Sequence, residues 1–157
     1  MAVTLEQVRA LLMPDEPDYR KAARLGPQAL PHLRALVNGP HKMLAQKAAY
    51  LAGLIDDDRS ADVLSDAARS SSSAVRVAAA SGARHLRRPG AVAVVSRLLN
   101  DRHVGVRKFA IKAAAKSGNS VLLAQLGRIV TKDSSPANRA LASHTLGKLK
   151  GGGGRIA

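Results

Sequence analysis

The stretch Asp101-Arg102-His103-Val104-Gly105-Val106-Arg107-Lys108-Phe109-Ala110 decides the fold, because its apolar positions recur along the chain with a period of 31 residues. Val106 repeats as Val75 and Leu44, and Ala110 repeats as Ala79 and Ala48. A second set keeps the same register. Leu33, Leu64, Val95 and Leu126 are 31 apart, as are Leu36, Ala67, Leu98 and Ile129, and Val37, Ala68, Leu99 and Val130. Within each unit these positions fall at i, i+3 and i+4, one face of an α-helix. Each period therefore holds two amphipathic helices. The last unit carries one extra residue, so Arg107 corresponds to Arg139.

Working outward, the spacing predicts helices near 4–12, 18–25, 27–38, 41–55, 59–70, 73–86, 89–99, 103–117, 119–131 and 136–149. Ser60, Ser72 or Ser73, and Asn119 or Ser120 stand where a side-chain oxygen can cap the first free amides. Pro27, Pro89 and Pro136 stand where a helix can begin without losing a useful donor. No segment alternates in the manner of a strand. The four glycines from Gly151 open a flexible tail, 151–157, after a helical domain spanning 1–150. One helical hairpin cannot bury its own apolar face, but a stack of hairpins can. With Tyr19, Tyr50 and Phe109 as the only aromatic residues, the core must be aliphatic. Ala48, Ala79 and Ala110 let neighbouring helices approach closely.

The same segments resemble HEAT repeats, especially short bacterial forms. Asp101 to Ala110 carries the likeness, together with Ala29-Leu30-Pro31-His32-Leu33-Arg34-Ala35-Leu36. The resemblance covers roughly residues 17–149. It implies an all-α, right-handed α-solenoid of about five helical hairpins. It also implies a ladder between neighbouring repeats, made by an Asp in the turn and an Arg six residues later. Asp101 with Arg107 and Asp133 with Arg139 match that pattern. Arg76 matches the Arg, but Ser70 stands in the place of the Asp, and the second unit has no arginine there. On this reading Arg107 and Arg139 are structural, and Arg76 is free for another role.

Charge points to function. The net charge is +14 over 157 residues. Residues 1–66 hold eight Lys/Arg against nine Asp/Glu, whereas residues 67–157 hold seventeen against two, Asp101 and Asp133. Such a field draws an anionic partner. A composition that merely favours arginine would not empty one half of acids. The second helices of a solenoid commonly line its concave, binding surface. There Lys108, Lys112 and Lys116 form a stripe at four-residue spacing. Arg76, Arg84, His85, Arg87 and Arg88 on one side and His144 and Lys148 on the other would complete a basic concave patch. Arg139 aligns with the same face but belongs to the ladder.

Other chemistry has little footing. With no cysteine there are no disulfides or thiolate ligands, which suits a cytoplasmic protein. No apolar run is long enough to span a bilayer. Asp56, Asp57 and Asp58, with Asp62 and Asp66, could hold a cation, but acids at a helix N-terminus are already favoured by its dipole, and Asp66 can pair with Arg69. His32, His41, His85, His103 and His144 show no zinc spacing, and no phosphate loop or nucleophile elbow occurs. Certain DNA glycosylases use a related helical repeat fold with Trp and a catalytic Asp in the cleft. This chain has no Trp and no acid left for that role. Bilin lyases of light-harvesting complexes also have similar short repeats, yet no residue here points to bilin chemistry.

The expectation is a non-enzymatic binding scaffold without cofactor or metal. Its basic half would dock on nucleic-acid backbone or on an acidic protein surface. The alternatives are a scaffold for a specific protein with no nucleic-acid role, and a relative of the glycosylases. Head-to-tail self-association, acidic half on basic half, is a further option. Scarce aromatics argue against stacking on single-stranded bases.

Overall fold

The computed structural model describes residues 2–153. Among these the chain forms ten α-helices: α1 (Leu5–Leu12), α2 (Tyr19–Ala23), α3 (Leu30–Val37), α4 (Lys42–Leu54), α5 (Ser60–Ala68), α6 (Ser73–His85), α7 (Gly90–Leu98), α8 (Val104–Ser117), α9 (Ser120–Lys132) and α10 (Pro136–Gly153). They pair as five hairpins. First helices stack α3 on α5, α7 and α9 in turn, and second helices stack α4 on α6, α8 and α10. This is an α-solenoid. A 3₁₀ turn, Gly26–Ala29, precedes α3. Pro136 opens α10, and the helix runs on through Gly153 rather than stopping before the glycines. The end of the expected tail, 154–157, lies outside the described residues.

Polar side chains set the helix starts, though not all at the expected positions. Ser72 Oγ accepts from the Val75 amide at 3.4 Å, and Asn119 Oδ1 accepts from those of Val121 and Leu122 at 2.9 and 3.3 Å. Two histidines do the same work. His41 Nδ1 accepts from the Leu44 amide at 3.2 Å and His103 Nδ1 from that of Gly105 at 3.0 Å. Each satisfies an amide that has no partner within its helix. Ser60 is not a cap. It is buried in the first turn of α5 and donates its hydroxyl to the Ile55 carbonyl at 2.6 Å. Gly118 ends α8 with φ +66°, a left-handed turn that favours glycine.

The core is built from Leu, Val, Ile and Ala, and no aromatic ring is fully buried among the described residues. Ala48, Ala79 and Ala110 have no exposed surface. Between α4 and α6 even an alanine is too large: a Cβ on Gly53 would collide with the Gly82 backbone, and one on Gly82 would lie 2.8 Å from the Ala49 carbonyl oxygen. At this point α4 and α6 therefore pack backbone to backbone.

A ladder of arginines joins the units, with a pairing the local spacing hides. Arg76 Nε and Nη2 donate to Asp101 at 2.8 and 3.2 Å, across to the next unit's turn, while Nη1 donates to the Ser70 carbonyl of its own turn at 2.9 Å. Arg107 repeats this, giving 2.8 and 3.1 Å to Asp133 and 3.0 Å to the Asp101 carbonyl. Arg139 donates to the Asp133 carbonyl at 2.7 Å. Arg76 and Arg107 thus each hold their own turn by a carbonyl and the following unit by a carboxylate, whereas Arg139 makes only the carbonyl bond. Arg76 is consequently not free for a ligand: it is 5% exposed and fully engaged. The absent Asp at Ser70 and the absent arginine on α4 are two halves of one missing rung, since the α4 position in register is the buried Ala45. The same units are joined instead by Arg34 on α3, which donates to Asp66 on α5 at 2.7 Å, assisted by Asn38 at 2.9 Å. Asp66 therefore pairs with Arg34, not through a hydrogen bond with Arg69.

Candidate functional site

Four of the cations expected to act together lie at the edge of the stack opposite the ladder. There the α6–α7 turn and the C-terminal end of α8 enclose a cleft of about 450 Å³. Arg84 reaches it from the last turn of α6, Arg87 and Arg88 from the α6–α7 turn, and Lys116 from the last turn of α8. Cations are favoured at these places because the C-terminal carbonyls of α6 and α8 concentrate negative charge. The floor is made of core side chains: Leu86, Val95, Ala113 and Leu122 are buried, and half-buried Val92 is the apolar lining residue that meets solvent. A floor of this kind is invisible in the charge pattern, because its residues belong to three different helices and a turn.

Arg84 and Arg87 are exposed and make no ion pair among the described residues. Arg88 differs. Its Nε donates to Asp56 Oδ1 at 2.7 Å, its Nη2 to the Asp56 carbonyl at 3.1 Å, and its Nη1 to Asp58 at 3.4 Å. It lines the cleft as a wall but its charge is answered from the α4–α5 turn. This engagement, with the Asp57–Arg59 pair at 3.0 Å, is also what the acidic run at 56–58 does. No group of three or more potential metal ligands occurs among the described residues.

His85 stands beside the cleft. Its titration is pushed below the ordinary imidazole range by partial burial first, and then by the charges of Lys116 and Arg84. The Tyr50 hydroxyl lies 3.4 Å from His85 Nε2, and Tyr50 meets Tyr19 edge to face with 4.7 Å between ring centres. These rings form a short file along the second-helix layer from α2 across α4 to α6.

The lysine stripe is only partly a unit. Lys116 lines the cleft, whereas Lys108 lies two helical turns back, about 12 Å along the axis. Lys112 is half-buried, with its ammonium 5.2 Å from the centre of the Phe109 ring. His144 and Lys148 are exposed on α10 and line no cleft with the others. Of the residues expected to act together, the structure joins Arg84, Arg87, Arg88 and Lys116, with His85 adjoining. It sends Arg76 to the ladder. No helix of the described residues is long and apolar enough to cross a membrane.

No curated protein matches this chain. Among solved structures, one chain in the complex of CpcE and CpcF of phycocyanin lyase from Nostoc sp. PCC7120 is similar in fold. Its TM-score is 0.73 at 21% identity, with 90% of this chain and 96% of that chain covered. The family model for HEAT repeats matches residues 62–147. That span takes in the ladder arginines Arg76, Arg107 and Arg139 with both of their acids, and runs over more than half of the sequence: the chain belongs to the HEAT-repeat family.

Proposed function

We propose that this chain is a non-enzymatic scaffold that binds an acidic protein segment in the cleft between the α6–α7 turn and the end of α8. One observation carries the reading: exposed Arg84 and Arg87, with Lys116, rim a floor on which half-buried Val92 is the apolar side chain that meets solvent. That pairing suits a segment in which an apolar side chain is flanked by carboxylates. The apolar side chain loses water on the floor, and arginines accept carboxylates in two-pronged hydrogen bonds. A phosphate backbone would use the rim but has no apolar group for the floor. The structural neighbour's place in a complex of two proteins also supports a protein partner.

The test is fluorescence anisotropy with a labelled peptide that alternates Glu and Leu, compared with a labelled random DNA duplex, across about 50 to 200 mM salt, where phosphate contacts weaken steeply. The expected result is saturable peptide binding that survives the higher salt and is lost in Arg84→Glu/Arg87→Glu/Lys116→Glu with the helical signal unchanged. Peptide binding indifferent to that triple change overturns the cleft. Tight duplex binding without peptide binding transfers the basic half to a nucleic-acid role.

A further inference from the structure

We infer that the two ends of the solenoid fit one another, so that a second copy of this chain stacks head to tail, with Arg139 of one copy holding Glu16 of the next. The ladder supplies the geometry. Each rung arginine holds an acid two residues before the N-cap of the following unit's second helix: Asp101 precedes His103, the cap of α8, by two, and Asp133 stands two before Ser135, whose hydroxyl accepts from the Asn138 amide. Arg139 has made only the inward half of its rung, the bond to the Asp133 carbonyl at 2.7 Å. No carboxylate meets it among the described residues. At the other end, Asp18 caps α2 by accepting from the Lys21 amide at 3.0 Å. The residue two before it is Glu16, which is exposed and makes no ion pair among the described residues. One end presents a rung arginine without an acid, and the other presents an acid in ladder register without an arginine.

Packing and charge agree. Leu98 at the end of α7 and Leu99 just after it are 0% and 2% exposed because another unit follows, but their equivalents Ile129 and Val130 are half-buried. Ala113 and Ala114 on α8 are covered, while Thr145 and Leu146 on α10, in the corresponding places, are half-buried, and Leu149 is 39% exposed. The last layer thus carries the pattern of an inner layer. The first layer has Leu5, 38% exposed, and half-buried Leu11 on α1, and the turn after α1 carries Asp15, Glu16 and Asp18. The apolar last layer lies in a half with seventeen cations and two acids, whereas the first half is near neutral. An interface of this heterologous kind passes from copy to copy, as an open filament or, where the rotation closes, as a ring.

The experiment is sedimentation velocity on the full chain over a hundredfold concentration range at about 150 mM salt, where a screening length of about 8 Å mutes the repulsion between two strongly basic copies. Mass is expected to rise with concentration for the native chain. Arg139→Glu alone and Glu16→Arg alone should each remain monomeric, with circular dichroism reporting an intact helical fold. Mixed one to one, the two variants should associate again, as should the double variant, because each then restores the opposite pair. A native chain that is monomeric throughout overturns the proposal, and so does association that either single variant leaves unchanged or that the mixture fails to restore.

Discussion

Arg76 holds the Asp101 carboxylate with two donors, at 2.8 and 3.2 Å, and both side chains are nine-tenths or more withdrawn from water, at 6% and 10% exposure. The bond ties α6 to the turn before α8, so it secures one hairpin to the next. Removing one partner strands a buried charge, which costs about 3–5 kcal/mol. Asp101→Ala is expected to lower the unfolding free energy by that amount in urea titration. Arg34→Ala, which opens a pair whose arginine is half exposed, should cost far less, because solvent screens that pair. Equal losses at the two sites would contradict the ladder's assignment as the main link.

Acid should unlock the same joints. Burial alone would raise the carboxyls of Asp101 and Asp133, but the Arg76 and Arg107 hydrogen bonds, the amides of His103 and Ser135 and the nearby charges outweigh it, holding both below the ordinary carboxylate range. A depressed folded value means that this stability is fully present above the unfolded carboxyl value, about 3.9. It is lost as pH falls through the folded value. Melting temperature is expected to be insensitive to these acids above about pH 5 and to drop below about pH 4, and Asp101→Asn should flatten that drop.

The approach of α4 to α6 tolerates no side chain. Gly53→Ala must push the Gly82 backbone away, and such overpacking typically costs about 1–3 kcal/mol. Gly127→Ala is the control: its added methyl meets nothing within 4 Å, and on α9 it should stabilise slightly through helix propensity. Thermal melts of the two variants should move in opposite directions.

His85 reports on the cleft. Its imidazole is depressed by partial burial and by Lys116 and Arg84, so Lys116→Met is expected to move its NMR titration upward, toward the ordinary value. An acidic ligand seated in the cleft should move it the same way. A titration unmoved by Lys116→Met would separate His85 from the cleft's field.

Gln125 is buried with its Oε1 lacking a partner among the described residues, while its Nε2 donates to the Ser96 carbonyl at 3.3 Å. That carbonyl also accepts from Asn100 at 3.2 Å. Gln125→Met therefore removes an unanswered acceptor and leaves Ser96 bonded. The urea midpoint should stay unchanged or rise.

The architecture could be read from the sequence because each unit repeats the same apolar positions, and Ala48, Ala79 and Ala110 mark the places where helices touch. The rung partners were harder to read. Arg107 has Asp101 six residues away, yet its carboxylate is Asp133, 26 residues on. The nearer acid contributes only a backbone carbonyl, an interaction any residue could make. Arg76 looked unoccupied for the same reason. Arg88 was legible as a cation but not as a pair, since Asp56 lies 32 residues back in another turn. Charge is carried by single residues and survives in the sequence. A cleft floor assembled from α7, α9 and a turn does not.

The edge-to-face contact of Tyr19 with Tyr50 has a practical consequence. With no tryptophan in the chain, both native tyrosine chromophores sit together in the first two hairpins. Tyrosine absorption and emission therefore follow that end of the molecule, and the basic half holds only Phe109, a far weaker chromophore. A single tryptophan introduced at half-buried Val92 would light the cleft, so that ligand binding there and the fraying of the first hairpins could be watched as separate optical signals.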